Sequence, residues 1–230
     1  MGRTAIVTGG TGGLGQAVTA AFLEDGWRVV VPWVSEEEAA RLEPHERLAL
    51  IRADLGDEAS VAEVVALAAG DQAAPLHSVV NLVGGFAQGG RIHETPIEDF
   101  EAQFRLNLRP TYLVTAAALP HLVAGGGGSV VCVSTRAAVR PFPGAAGYIA
   151  SKAAVLAFVD AAAVEYRNDN VRVNAVLPSI IDTPANRAAN PDGAYERWVR
   201  PEEIARVIRF LCSDDAAPTS GAHVPVYGKA

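Results

Sequence analysis

The sequence predicts an α/β fold: a single domain built on a doubly wound parallel sheet with helices on both faces. Three observations predict it. Short apolar runs alternate with helix-patterned stretches along the 230 residues. Most of those runs are Val-rich and continuous, as strands covered on both faces are. Five glycines crowd into Thr8–Gly15, between the first strand-like run and the first helix-like one.

Strands are expected at Ala5–Val7, Arg28–Val31, Ala49–Arg52, Ser78–Val83, Ser129–Val133, Arg172–Leu177 and Ala222–Val226. Between them, helices are expected at Leu14–Glu24, Ala59–Ala69, Ile97–Val123, Tyr148–Tyr166 and Pro201–Cys212. Repeated strand–helix alternation implies right-handed crossovers, hence a Rossmann-type sheet. The chain shows no internal repeat, linker or low-complexity tail. Its length suits one domain with a large core.

Composition narrows the function. The formal charge of −7 argues against a nucleic-acid partner, which wants a basic face. No apolar run approaches the roughly 20 residues that span a bilayer, and glycines interrupt the N-terminus before a signal peptide could form. No membrane partner is therefore expected. Cys132 and Cys212 sit in apolar segments and suggest no disulfide framework. The five histidines are scattered without ligand spacing, so no metal is expected. A soluble cytoplasmic protein is the default.

The glycines have a chemical reading. Gly10-x-Gly12-x-x-Gly15 fits the general dinucleotide fingerprint, and Thr8-Gly9-x-x-x-Gly13-x-Gly15 fits an overlapping one. Glycines let the chain turn tightly and let a pyrophosphate approach the backbone and the helix N-terminus. In this fold ligands bind where the first strand turns into the first helix. Gly125–Gly128, by contrast, follows no strand and reads as a plain helix-to-strand linker.

Further along, Tyr148 and Lys152 are four residues apart on one helical face. Such a pair is common on solvated faces, but here it follows the fifth strand, at the end of the sheet that carries the glycine loop. Together these residues resemble the short-chain dehydrogenase/reductase family, over nearly the whole chain. Thr8–Gly15, with Thr8, Gly9, Thr11, Gly13, Leu14 and Gly15, is similar to its cofactor loop, and Asp54-Leu55 to its adenine-pocket pair. Asn81-Leu-Val-Gly84 stands where the family has Asn-Asn-Ala-Gly, and Asn107 where it has its helix asparagine. Pro178-Ser-Ile-Ile-Asp-Thr183 matches Pro-Gly-x-x-x-Thr with Ser179 in place of Gly. Pro201-Glu-Glu-Ile-Ala and Ser220-Gly221 complete the match. The resemblance is greatest to 3-oxoacyl-carrier-protein reductases, with some likeness to dihydropteridine reductase in Gly84-Gly-Phe86 and Asp182-Thr-Pro-x-Asn-Arg187.

The resemblance implies hydride transfer between a nicotinamide cofactor and a carbonyl or alcohol, with a small carbonyl or acyl substrate. Tyr148 is then the acid/base. Lys152 holds the ribose and, with the cationic oxidised nicotinamide, lowers the phenol's ordinary pKa of about 10. Counting back from Tyr148, the family's polarising serine falls at Thr135, with Ser134 beside it as the other candidate. Asn107 holds a water in the family's proton relay. Pro110, inside the same helix, frees the Leu106 carbonyl and predicts a kink. Thr183 is similar to the residue that binds the nicotinamide carboxamide, and Thr183-Pro184 also reads as a helix cap.

Cofactor choice stays open between NAD and NADP. After the second strand the chain reads Val31-Pro32-Trp33-Val34, with no acid until Glu36 and no basic residue for a 2′-phosphate. The lack of a cation tips the balance to NAD, with Arg52 the residue that could reverse it. Substrate-contacting segments are expected at Phe86–Thr95, Arg136–Gly147 and Ser179–Trp198, carrying Phe86, Gln88, Arg91, Arg140, Phe142, Asn186, Arg187 and Trp198. The Ala- and Val-rich Ala153–Val164 suits burial against a partner helix, and with the resemblance it points to a homotetramer. Two alternatives remain: a dihydropteridine reductase-like enzyme, and a nucleotide-sensing protein without turnover, which would be expected to lack Tyr148 or Lys152.

Overall fold

A computed structural model describes residues 2–229. The chain runs β1 (Thr4–Thr8), α1 (Gly13–Glu24), β2 (Arg28–Trp33), α2 (Glu36–Ala39), β3 (Leu48–Arg52), α3 (Glu58–Ala69) and β4 (Leu76–Asn81). It continues with α4 (Ile97–Asn107), α5 (Arg109–Ala124), β5 (Gly128–Val133), α6 (Ala146–Glu165), β6 (Val171–Pro178), α7 (Pro184–Ala189), α8 (Pro201–Cys212) and β7 (His223–Val226). All seven strands join one parallel sheet in the order β3-β2-β1-β4-β5-β6-β7. The order reverses between β1 and β4, where a doubly wound sheet opens its crevice.

The Val-rich central strands are buried on both faces. One core packs Val61, Val64, Val114, Leu122, Val155 and Val159 of α3, α5 and α6 against the sheet. The other packs Val18, Phe22, Ile204 and Ile208 of α1 and α8 against the opposite face. The long helix expected over Ile97–Val123 is in fact two. α4 ends at Asn107, Leu108 sits between at φ −106°, and α5 restarts with Pro110 in its first turn. There a missing N–H costs nothing, and the Thr111 hydroxyl donates to the Asn107 carbonyl at 3.2 Å. Pro110 thus marks the local disturbance expected there: the helical hydrogen bonding is interrupted at Leu108, whose backbone stays in the right-handed helical region.

α6 departs from a second expectation. Its 20 residues are long and apolar enough to cross a membrane by length and composition. Val155, Leu156, Val159, Ala162 and Ala163 instead pack into the core on the sheet. α2 and the short α7 were not among the expected helices, although Thr183 caps α7 as its sequence suggests, accepting from the Asn186 N–H at 3.2 Å. Gly125–Gly127 form the linker expected there, while Gly128 already opens β5; Gly126 and Gly127 take φ of +86° and +128°, which glycine adopts freely.

Candidate active site

Two groups of residues meet at the carboxyl end of the sheet. The first surrounds a cavity of about 580 Å³ lined by Gly9, Thr11, Gly12, Gly13, Leu14, Gly15, Asp54, Leu55 and Gly84, with Trp33, Val34, Glu38 and Leu106 among its other walls. Gly15 must lack a side chain, because a Cβ there would collide with the Gly9 carbonyl oxygen. α1 is preceded by Gly12 as its cap, which offers no side chain, so its first-turn amides take no capping side-chain acceptor, and Gly13, Leu14 and Gly15 lie on the cavity wall. Backbone amides at a helix N-terminus suit a pyrophosphate, and this glycine cradle fits a dinucleotide.

Three of the expected cofactor residues act from outside that wall. Thr8 accepts from the Leu82 N–H at 3.0 Å and so braces the start of the β4 loop. Asn81 is buried and donates to Thr115 Oγ1 at 2.9 Å, tying β4 to α5. Pro178 is buried at the end of β6. Thr183 comes closer: a Cβ on Gly13 would stand 2.8 Å from its methyl.

The second group is made of side chains. Lys152 is buried, its Nζ donates to the Val133 carbonyl at 3.0 Å, and burial pulls its pKa down to about 8. Tyr148 lies one turn earlier. Burial raises its pKa, while the Thr135 side chain beside it pulls the other way. In the protein alone the Lys152 ammonium is turned to a carbonyl, and desolvation dominates at the phenol. Of the two candidate hydroxyls, Ser134 is committed elsewhere, donating to the Lys152 carbonyl at 2.8 Å. Thr135 is the one beside the phenol.

Asn107 is fully buried and joins the two groups. Its Oδ1 accepts from the Gly85 N–H at 2.9 Å, and its amide donates to the Gly85 carbonyl at 3.2 Å and to Ser151 Oγ at 3.1 Å. Ser151 in turn donates to the Tyr148 carbonyl at 2.9 Å. A Cβ on Gly84 would stand 2.6 Å from Asn107 Oδ1 and 2.8 Å from Lys152 Nζ, so only glycine fits where the groups touch.

Above the phenol, the Phe86 ring stands edge-on to Tyr148 at 5.0 Å, with Phe142 at 6.2 Å from Phe86. Their two loops are joined where the Gly89 N–H donates to the Gly144 carbonyl at 2.7 Å. The remaining expected substrate contacts fare differently. Trp198 is buried against Tyr195, and Arg187 is held bidentate by Asp182 while stacking on Tyr195. Sequence reasoning missed Glu38 and Ser151. Ser35 followed three residues later by Glu38 is a helix-start signature that marks α2.

A parallel sheet with a glycine-lined cradle that fits a dinucleotide, and a half-buried Tyr148 one turn from a buried Lys152 that packs on Gly84 of its wall, defines a nicotinamide-dependent oxidoreductase. The model of a family described as enoyl-(acyl carrier protein) reductase matches residues 9–228. A 2-(R)-hydroxypropyl-CoM dehydrogenase of Xanthobacter autotrophicus is 34% identical over 246 residues, covering 99% of this chain and 98% of that one. Among solved structures, ElxO with NADP bound superposes at a TM-score of 0.91, with 25% identity over 99% of this chain and 98% of the other. A Brucella melitensis 3-ketoacyl-(acyl-carrier-protein) reductase complexed with NADH superposes at 0.88, with 27% identity over 99% and 97%. The chain belongs to the short-chain dehydrogenase/reductase family and is an NAD(P)-dependent oxidoreductase.

Proposed function

We infer that the protein interconverts a carbonyl and an alcohol on a small substrate of the 3-oxoacyl or ketone type. The observation that supports this is Lys152 packed against Gly84, a wall of the glycine-lined cavity, with Tyr148 one turn earlier and the Thr135 side chain beside that phenol. In the reducing direction Tyr148 donates its proton to the carbonyl oxygen, and its raised pKa keeps that proton available at neutral pH. The Thr135 hydroxyl donates to the same oxygen as charge develops there. Lys152, an ammonium below about pH 8, offsets the charge left on the phenol oxygen. Asn107 keeps Gly85 and the first turn of α6 in register.

A bound nicotinamide supplies the hydride. Gly9, Thr11, Gly13, Leu14, Gly15, Asp54, Leu55 and Gly84 would hold the dinucleotide, with Thr183 at its carboxamide end and Lys152 at its ribose. The presence of both Tyr148 and Lys152 favours turnover over nucleotide sensing. A hydroxyl at Thr135 favours a general carbonyl reductase over the pteridine-reducing alternative.

The test is oxidation of NADH and of NADPH against a panel of 3-oxoacyl thioesters, simple ketones and a quinonoid dihydropterin. Turnover of the first two sets supports the reading. Cofactor binding without turnover of any of them overturns it in favour of a sensor. The protein is also taken to be a cytoplasmic homotetramer assembled through α4, α5 and α6. Tyr112 meets Phe158 edge-on there, and Val164 is 64% exposed. Light scattering that finds a monomer at micromolar concentration rules out the assembly.

A further inference from the structure

The end of β2 offers nothing to a ribose hydroxyl: Pro32 and Trp33 lack an acceptor side chain, and Val34 is apolar. The structure brings an acceptor from elsewhere. Ser35 caps α2 by accepting the Glu38 N–H at 3.3 Å, and this single turn swings Glu38 back over the glycine loop. Its carboxylate accepts from the hydroxyl of Thr11 at 3.2 Å. In a capping box that carboxylate would return to the Ser35 N–H instead. Thr11 and Glu38 line the cavity together with Gly12, Val34 and Asp54.

The surrounding charges are unbalanced. Lining this cavity, among the described residues, are two carboxylates, Glu38 and Asp54, and one cation, Arg105. Arg105 reaches the cavity from α4 and is held by Glu101 at 3.3 Å and by the Glu98 carbonyl. Arg41, near Glu38 in sequence, pairs with Glu37 at 2.8 Å, and Arg52 does not line the wall.

We propose that Glu38, held by Thr11, selects the cofactor whose adenosine ribose carries a free 2′-hydroxyl. This rests on the reading of the cavity as a dinucleotide site. A carboxylate there accepts a charge-assisted hydrogen bond from the ribose diol, one of the stronger kinds. A 2′-phosphate would place a near-dianion against that carboxylate, and the cavity's one cation among the described residues, Arg105, is already paired with Glu101. The selecting acid thus sits on α2, five residues beyond the last residue of β2, which is why the strand end reads as neutral.

Adenosine diphosphate ribose and its 2′-phosphorylated form probe the site without any turnover. Binding of each is measured by calorimetry or by fluorescence of Trp33, which lines the same wall. The wild type should bind the unphosphorylated fragment at least about tenfold more tightly. Glu38→Gln should reduce that ratio severalfold, Glu38→Arg should reverse it, and Glu37→Gln, on the same turn, should leave it as it was. Thermal melting checks that each variant folds. An equal or reversed preference in the wild type, or a ratio untouched by Glu38→Gln, overturns the role of Glu38 while leaving the dinucleotide site standing. Binding of neither fragment, and of neither NADH nor NADPH, overturns both.

Discussion

On the α1 side the cavity wall is backbone, set by Gly9, Gly12, Gly13 and Gly15, and its recognition lies in what those positions lack. Around Tyr148 the recognition is by side chains, and these are held in turn by hydrogen bonds: Lys152 to the Val133 carbonyl, Asn107 to the Gly85 backbone and to Ser151. The glycine side is rigid through steric necessity and indifferent to protonation. The Tyr148 side is buried, polar and sensitive to single atoms. A dinucleotide therefore meets a site that binds at one end and reacts at the other, and the two ends should fail in different ways.

The largest separation of the two comes from Tyr148→Phe. Turnover should fall about 10² to 10⁴-fold, while NADH binding stays close to wild type. Retention of more than half the activity on an authentic substrate would falsify the acid/base role.

Next in size is Thr135→Val, which keeps the β-branched shape and removes one hydroxyl. We expect a loss on the order of 10² to 10³ in kcat, with little change in melting temperature and none in cofactor affinity. Ser134→Ala should do the opposite, lowering stability by about 1 kcal/mol through the lost bond to the Lys152 carbonyl. If Ser134→Ala abolished turnover and Thr135→Val were silent, the polarising role would belong to Ser134.

Gly84→Ala strikes both ends at once, since the new methyl meets Asn107 and Lys152. Overpacking of this kind costs about 1 to 3 kcal/mol, so both cofactor affinity and kcat should drop. A change confined to one of the two parameters would mean that the groups are not coupled through this point.

A last effect is in pH. Lys152 has a pKa of about 8 when folded and 10.5 ordinarily. Between those values the unfolded chain holds more protons, so stability rises with pH across that window. Below pH 8 the buried ammonium is a constant cost. Melting curves of wild type against Lys152→Met should therefore diverge in favour of the wild type from pH 8 to 10. A constant difference would mean that Lys152 is not desolvated.

Much of this was legible before any coordinates. Continuous apolar runs, most of them Val-rich, place all seven strands within a few residues of their observed positions, and burial on both faces leaves the five central ones little freedom of composition. The glycine spacing marks the cradle, and counting from Tyr148 reaches Thr135. What escaped depends on partners remote in sequence. Glu38 looks like one of three surface acids until Thr11, 27 residues earlier, takes its carboxylate. Ser134 and Thr135 are indistinguishable until the Lys152 carbonyl claims one of them. Trp198 reads as a loop aromatic and is core. The break at Leu108 was half visible: Pro110 signalled a disturbance, but not that Thr111 would supply a hydrogen bond and make a clean restart cheap.

The bond from Gly89 to Gly144 closes two separate loops into one collar around the phenol. Its halves follow the neighbouring parallel strands β4 and β5, 55 positions apart, and neither can swing outward without breaking that bond. Gly144 holds φ at +85°, where a side chain would be strained, so the collar has a fixed clasp. Phe86 and Phe142 are thereby mounted on a single frame, and the width of the entrance is set by backbone. Its residues can be exchanged to suit new guests, whereas its girth changes only when the clasp is undone.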